Sequence, residues 1–203
     1  MKKAVTYIVL ALASLITLAP VIWTVLSSMR PPAESLSADG SFIPSSLDFS
    51  SYPAVFGEVD MWMLTLNSVL VTGIIAVGQM LSAAMAGYVF ARFEFRGKNL
   101  LFALILATMM VPMQVTIVPV FMLIRGMNLA DTLLALILPA IPTAFGTFLM
   151  RQYFLGLPAE LGEAAEIDGA GPWRIFASIY APLAVPGMAI VGILAFNFHW
   201  NEF

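Results

Sequence analysis

Four carboxylates on a short polar stretch are the residues best suited to chemistry in the otherwise apolar second half of this chain. They are Glu160, Glu163, Glu166 and Asp168. Carboxylates act as general acid and base only where they face a substrate cleft, and the sequence indicates no such cleft outside its apolar runs. We therefore interpret these side chains as docking charges, which a basic groove on another protein would complement.

A short helix is predicted to hold these carboxylates. Pro158 suits a first helical turn, where its missing N–H is harmless, and Gly169 suits a left-handed cap at the C-terminal end. The sequence therefore predicts a helix over 158–169. A helix of about ten residues is marginal alone in water, so this one needs a surface to dock on.

One face of this predicted helix carries small side chains. The positions i, i+3, i+4 and i+7 are occupied by Leu161, Ala164, Ala165 and Asp168. The two alanines would let the backbone of a partner approach closely. This face is the predicted contact with another protein.

The same stretch resembles the cytoplasmic signature of the membrane-spanning subunits of bacterial ATP-binding-cassette importers. That signature reads EAA, three residues, G, nine residues, I, one residue and LP. The chain has Glu163-Ala164-Ala165, Gly169, Ile179 and then Ala181-Pro182, so alanine replaces one leucine. Further segments resemble the carbohydrate-uptake branch, in particular its maltose-type second permease. These segments are 27–34 (SSMRPPAE), Asn67-Ser68, 87–98 (GYVFARFEFRGK), 150–154 (MRQYF), 167–171 (IDGAG) and 199–203 (HWNEF).

The resemblance implies a set of partners and a mechanism. The partners are cytoplasmic ATPase subunits, a second and non-identical permease subunit, and an extracytoplasmic solute-binding protein that delivers a sugar or oligosaccharide. ATP would be bound by the ATPase subunits, whose closure would move the 158–169 helix and rock the spans. The residues expected to couple to the ATPase are Glu163, Ala164, Ala165, Asp168 and Gly169.

The composition is that of a chain embedded in a membrane. Of the 203 residues, 61% are hydrophobic and 10% are charged, and the mean hydropathy is +0.94. These values are typical of a polytopic membrane protein. Together with the resemblance, they predict an all-α transmembrane helix bundle with a cytoplasmic coupling helix, in the bacterial inner membrane.

Composition and motifs exclude several classes of function. The net charge of −3 and the absence of a basic stripe argue against nucleic acid binding. The chain has no cysteine, and His199 is its single histidine, so thiolate catalysis and a multi-histidine metal site are excluded. Gly97-Lys98 is no phosphate-binding loop, because Arg92 stands where the pattern needs glycine. We expect no catalytic residue, no cofactor and no ATP hydrolysis by this chain, which is not an enzyme.

The chain reads as one permease domain, 1–203, with five apolar spans and a coupling loop at 151–182. The spans are 4–26, 62–90, 100–124, 131–150 and 183–203. The first run is longer than the 7–15 residues of the apolar h-region of a signal peptide, so we expect it to be retained. Prolines predict kinks in the third and fourth spans; they are Pro112, Pro119, Pro139 and Pro142. The end at Phe203, midway through a span, suggests that C-terminal residues are missing.

Polar side chains within the spans should face protein or a wet cavity, since lipid cannot satisfy them. In the second span they are Asn67, Ser68, Thr72 and Gln79, for which hydrogen bonding between helices is favoured over transport contacts. Two pairs of small residues in that span, Ser82/Ala86 and Ala83/Gly87, permit close helix packing. In the last span, Asn197, His199, Trp200 and Asn201 are candidates for a translocation path, with structural packing as the simpler interpretation.

Two rival functions stay open on the sequence alone. The first is a permease of the same superfamily for amino acids, peptides or phosphorylated polyols. The second is a membrane channel or assembly subunit without ATP coupling. A solute panel would separate the first rival from the sugar reading, and co-purification with an ATPase would separate the second.

The distribution of basic residues predicts a cytoplasmic N-terminus. With that orientation the inner segments hold Lys2, Lys3, Arg92, Arg96, Lys98, Arg151 and Arg174, and the outer ones hold Arg30 and Arg125. Seven against two is the bias expected from the positive-inside rule.

A cysteine at Ser45 should therefore react with an impermeant thiol reagent in intact cells, and one at Lys98 only after the membrane is opened. Labelling of the cysteine at position 98 in intact cells would show that the orientation is the opposite of the predicted one.

Overall fold

The computed structural model describes residues 2–35 and 43–202, and all regular structure in them is helical. The predicted all-α fold class is thereby confirmed. Met1, residues 36–42 and Phe203 lie outside the described residues, as does the expectation attached to the chain end at Phe203. In chain order the helices are α1 (Lys2–Ser28), α2 (Pro32–Ser35), α3 (Ser51–Glu58), α4 (Met61–Arg92), α5 (Lys98–Thr108), α6 (Met113–Gly126), α7 (Leu133–Ala140), α8 (Ala144–Leu155), α9 (Glu160–Ile167), α10 (Pro172–Ile175), α11 (Ala181–Leu183) and α12 (Val185–Trp200), with a π-helical turn at Phe176–Tyr180.

The chain divides into two compact units, Met1–Leu64 and Thr65–Phe203. In the first unit, α1 has no buried side chain among its described residues, as suits an apolar helix whose solvent is lipid. The segment after α1 is held by side-chain bonds: the Ser45 hydroxyl donates to Glu34 at 2.9 Å. The backbone N–H of Ser50 donates to Asp48 at 2.8 Å, and this bond holds the pKa of Asp48 below its usual value.

The second unit is built from broken helices around the long helix α4. The bends are 102° between α5 and α6, 42° between α7 and α8, and 73° between Pro172–Leu183 and α12. By length and composition, two helices in the described parts of the chain can cross a membrane, or up to five if each bent pair is one span.

The breaks follow the prolines only in part. Pro112 precedes α6 in an extended conformation, because proline lacks the N–H that a continuing helix would use. The expected single span over 100–124 is therefore two helices at a steep angle. Pro119 lies inside α6 without ending it. Helix α8 continues to Leu155, and residues 172–183, expected to belong to the coupling loop, are largely helical.

Helix α4 packs on α8 through the small residues Ala83 and Gly87. A Cβ added to Gly87 would lie 2.6 Å from the Cβ of Met150, and one added to Gly146 would lie 3.0 Å from the Cβ of Ala83. The pair Ala83/Gly87 therefore lies at a close helix–helix contact.

The polar residues of α4 also reach α7 and its end. Ser82 donates to the carbonyl of Ile141 at 3.1 Å and Gln79 to that of Ala140 at 2.8 Å. Thr72 is buried, and Asn67 is half-buried.

We expect Gly87→Ala to destabilise the protein by about 1–3 kcal/mol, because the added methyl would overlap Met150 and force α4 away from α8. Gly73→Ala is the matched control in the same helix, since nothing lies within 4 Å of its added Cβ. Thermal unfolding of the purified protein in detergent measures both. Equal melting temperatures for the two variants would contradict the close contact.

Candidate functional site

The acidic stretch forms helix α9, which is shorter than the predicted 158–169. It begins at Glu160 and ends at Ile167. Gly169 follows with a φ of +80°, and two bonds close the helix: Gly169 N–H to Glu166 O and Ala170 N–H to Ala165 O, both at 2.9 Å. This is the Schellman arrangement, in which the residue at the left-handed position is usually glycine.

Helix α9 presents one side to its own chain and the other to solvent. Gly162 is buried, and a Cβ added there would lie 2.8 Å from the Tyr180 hydroxyl. Ala165 packs against the same core. The exposed residues are Glu160, Leu161, Glu163, Ala164, Glu166, Ile167 and Asp168.

The four residues of the predicted docking face differ in exposure. Leu161, Ala164 and Asp168 are exposed, whereas Ala165 faces the chain's own core. Successive residues on an α-helix differ by about 100°, so only one of the two adjacent alanines faces the core on the side of Gly162.

Two large apolar side chains near the carboxylates were missed by the sequence analysis. Ile167 is 88% exposed and Trp173 is 68% exposed. Ile167 lies three residues after Ala164, so helical spacing alone could have put it on the exposed face. The outer side of α9 is therefore mixed apolar and acidic.

An aromatic cluster that includes Tyr180 lies against the buried side of α9. Tyr88 of α4 lies 5.8 Å from Phe154, 5.0 Å from Phe176 and 5.4 Å from Tyr180, measured between ring centroids. The π-helical turn contributes Phe176 and Tyr180. Such turns are rare and frequent at functional sites.

A cleft of about 1100 Å³ lies between α4, the two bent pairs α5–α6 and α7–α8, and α12. Its lining is mostly apolar. The polar lining residues are Gln79, Thr108, Thr116, Thr143, Asn197, His199 and Glu202.

Three of the lining residues, Gln79, His199 and Glu202, are joined by hydrogen bonds. The Gln79 amide nitrogen donates to Ala140 O and lies 3.2 Å from His199 Nε2, while His199 Nδ1 lies 2.8 Å from Glu202. Since an amide nitrogen only donates, His199 Nε2 must accept, and the proton on Nδ1 is donated to Glu202. The described contacts thus assign one tautomer to the buried imidazole.

The cleft brings together two of the four candidate path residues. Asn197 and His199 line it. Trp200 instead stacks on Phe196 with ring centroids 5.5 Å apart, and the Asn201 amide donates to Asn197 O at 2.6 Å. No group of three or more His, Asp or Glu side chains that could hold a metal occurs in residues 2–35 and 43–202.

The chain is similar in sequence to known transport proteins. Residues 80–203 match the family described as "Binding-protein-dependent transport system inner membrane component". The diacetylchitobiose uptake system permease protein NgcG of Streptomyces coelicolor is 37% identical over 202 residues, which are 98% of this chain and 67% of the relative. The arabinooligosaccharides transport system permease protein AraQ of Halalkalibacterium halodurans is 36% identical over 196 residues, 95% of this chain and 70% of the relative.

The fold is similar to that of a solved bacterial transporter chain. The neighbour is an ABC transporter involved in the import of the acidic polysaccharide alginate, with a TM-score of 0.83 and 27% sequence identity. The match covers 98% of this chain and 71% of that chain.

We expect Gly169→Val to loosen the end of α9, because a β-branched residue at φ +80° costs about 1 kcal/mol or more. Amide exchange in 163–170 should accelerate about fivefold. Gly171→Val is the matched control two residues on: its φ of −74° is ordinary, and nothing lies within 4 Å of its added Cβ. Hydrogen exchange followed by mass spectrometry measures these rates. An equal increase of the amide exchange rate in both variants would contradict the role of the cap.

Proposed function

Because the chain belongs to the family of binding-protein-dependent transport system inner membrane components, we propose that it is the permease subunit of an ATP-binding-cassette importer for a sugar or oligosaccharide. The observation that carries the proposal is its similarity, over 98% and 95% of its length, to permeases named for diacetylchitobiose and arabinooligosaccharides. The chain works in the inner membrane.

The chemistry of the cleft favours a neutral polyhydroxylated solute. Thr108 and Thr116 donate their hydroxyl protons to Ile105 O and Met113 O, so their oxygens can accept hydrogen bonds from sugar hydroxyls. The Thr143 hydroxyl accepts from Gly146 N–H and can donate its proton to a sugar oxygen. The apolar lining suits the C–H faces of a sugar ring. The described lining includes neither Lys nor Arg, so the cleft offers no Lys or Arg cation to neutralise a phosphorylated polyol.

The path through the cleft runs past Asn197 and His199 in this proposal. Gln79, which the sequence analysis assigned to helix packing, joins them through its bond network. Trp200 and Asn201 hold the end of α12 in position by stacking and by the bond to Asn197 O.

Helix α9 is the proposed point of contact with the cytoplasmic ATPase subunits. Glu163, Ala164 and Asp168 belong to its exposed side. Ala165 packs against the core of the chain, and Gly169 ends the helix. With a cytoplasmic N-terminus, α9 lies on the side where ATP is available. ATP-driven closure of the ATPases then displaces α9, and the spans rock as rigid bodies.

The remaining partners follow from the same assignment. A second, non-identical permease completes the path, and an extracytoplasmic binding protein delivers the solute. ATP is bound and hydrolysed by the ATPase subunits alone.

The proposal is tested by purification and uptake. The tagged chain from its native membrane should carry an ATPase with it, and hydrolysis should vanish when that subunit is stripped. Deleting the chain should abolish uptake of labelled di- or oligosaccharides but not of an amino acid, a dipeptide or a phosphorylated polyol. Loss of one of the latter instead identifies the first rival function, and absence of any ATPase identifies the second.

Glu163→Lys should weaken ATPase docking by about 2–5 kcal/mol, because it reverses a charge that meets a basic surface. Glu58→Lys is the control, since it makes the same charge change at an exposed residue of α3. Both variants should reach the membrane. In detergent pull-downs only Glu163→Lys should lose the ATPase; equal retention in both variants would remove α9 from the docking surface.

A further inference from the structure

Arg92, the last residue of α4, joins two other helical segments. One of its terminal guanidinium nitrogens, Nη2, donates to Phe154 O at 2.7 Å and to Leu157 O at 2.6 Å. Phe154 belongs to the last turns of α8, and Leu157 lies in the connection from α8 to α9. A single side chain of α4 therefore holds the residues that lead into the acidic helix.

Tyr180 holds the same connection from the other side. The Arg92 guanidinium carbon lies 4.6 Å from the centre of the Tyr180 ring, and the Tyr180 hydroxyl donates to Pro158 O at 3.4 Å. Gly162, in the first turn of α9, lies directly against that hydroxyl. The start of α9 is thus attached to the guanidinium and the ring together.

The physical chemistry of this contact makes it stiff. Hydrogen bonds from a charged donor are roughly twice as strong as neutral ones, and carbonyls at a helix C-terminus carry the negative end of its dipole. A guanidinium can bond to two carbonyls while stacking on a ring, which a lysine ammonium does less well. Displacement of Leu157 therefore pulls on α4.

Helix α4 also reaches the cleft. Gln79, which contacts His199, lies 13 residues before Arg92 on the same unbroken helix, a distance of about 20 Å along the axis. One continuous element thus carries the attachment of α9 at one point and a polar contact of the cleft at another.

We propose that Arg92 is a positioning residue for ATP coupling, which makes α9 and α4 move as one body so that displacement of α9 reaches the Gln79–His199 contact. This inference rests on the proposed function. Arg92 touches no solute and needs no contact with the ATPase.

Arg151 provides a matched control. Its Nε donates to Phe90 O at 3.2 Å, and its guanidinium carbon lies 4.4 Å from the centre of the Phe102 ring. It therefore makes the same kinds of contact, from α8 to α4 and α5, but those contacts do not involve the connection to α9.

The experiment uses the complete importer in proteoliposomes, with its ATPase, second permease, binding protein and a labelled transported saccharide. Arg92→Met, Arg92→Lys and Arg151→Met are compared for ATPase content, melting temperature, ATP hydrolysis and uptake. Arg92→Met should keep its ATPase and hydrolyse ATP, while the ATP used per solute rises about tenfold, within the usual range of coupling factors between sites. Arg92→Lys should give a smaller rise, and Arg151→Met an unchanged ratio whatever its melting temperature.

Three outcomes overturn the inference: an unchanged ratio in Arg92→Met, an equal rise in Arg151→Met, or an unchanged ratio in Arg92→Lys if Arg92→Met does not assemble. A raised ratio in Arg92→Lys under that last condition supports it. Wild-type uptake that does not depend on ATP refutes the proposed function itself, and the inference with it. ATP-dependent wild-type uptake with normal ratios in the Arg92 variants refutes the inference alone.

Discussion

Buried backbone carbonyls that are freed where helices end or break must find donors inside the protein, because neither lipid nor a packed interior offers them water. In the second unit those donors are side chains at a few helix contacts. Gln79 and Ser82 donate to the carbonyls at the α7–α8 break, and Arg92 donates to those at the end of α8 and beyond. In the opposite direction, Arg151 of α8 donates to Phe90 O in the last turns of α4. The unbroken helix α4 thereby makes the broken ones possible, and the cleft and the acidic helix both depend on it.

The bounds of α9 could be predicted from the sequence, whereas the contacts of Ala165 and Arg92 could not. Pro158 and Gly169 bracketed α9 correctly to within two residues, because both restrict backbone conformation locally. The orientation of Ala165 could not be predicted, since it depends on a core cluster whose residues come from several distant segments of the chain. Arg92 was counted only as a charge that orients the chain. Its acceptors are 62 and 65 residues away, and no local pattern announces such a pairing.

The same division applies to the breaks and to the cleft. Pro112 marked the sharpest bend, but Pro119 did not interrupt α6, because a helix in a bundle can satisfy the groups that a proline frees. Asn197 and His199 were named from their polarity, and the cleft includes both. Trp200 and Asn201 share that polarity, but their contacts are with α12 itself. The polarity of these residues was enough to identify the end of α12 as a candidate. Only the three-dimensional packing distinguishes the residues that line the cleft from those that support the helix.

The two sides of α9 also differ in how freely they can change during evolution. At Gly162 an added Cβ would lie 2.8 Å from the Tyr180 hydroxyl, so any larger residue requires Tyr180 to move. The chain itself therefore restricts the inner side. Glu163, Ala164 and Ile167 touch little within the chain, so their identity answers only to whatever they meet. In the proposed function, substitutions on the outer side change the match to the ATPase subunit without disturbing the contacts of Gly162 and Tyr180. Under the same proposal, a duplicated copy of the gene can acquire a different ATPase partner while the packing of α9 on its own chain stays unchanged.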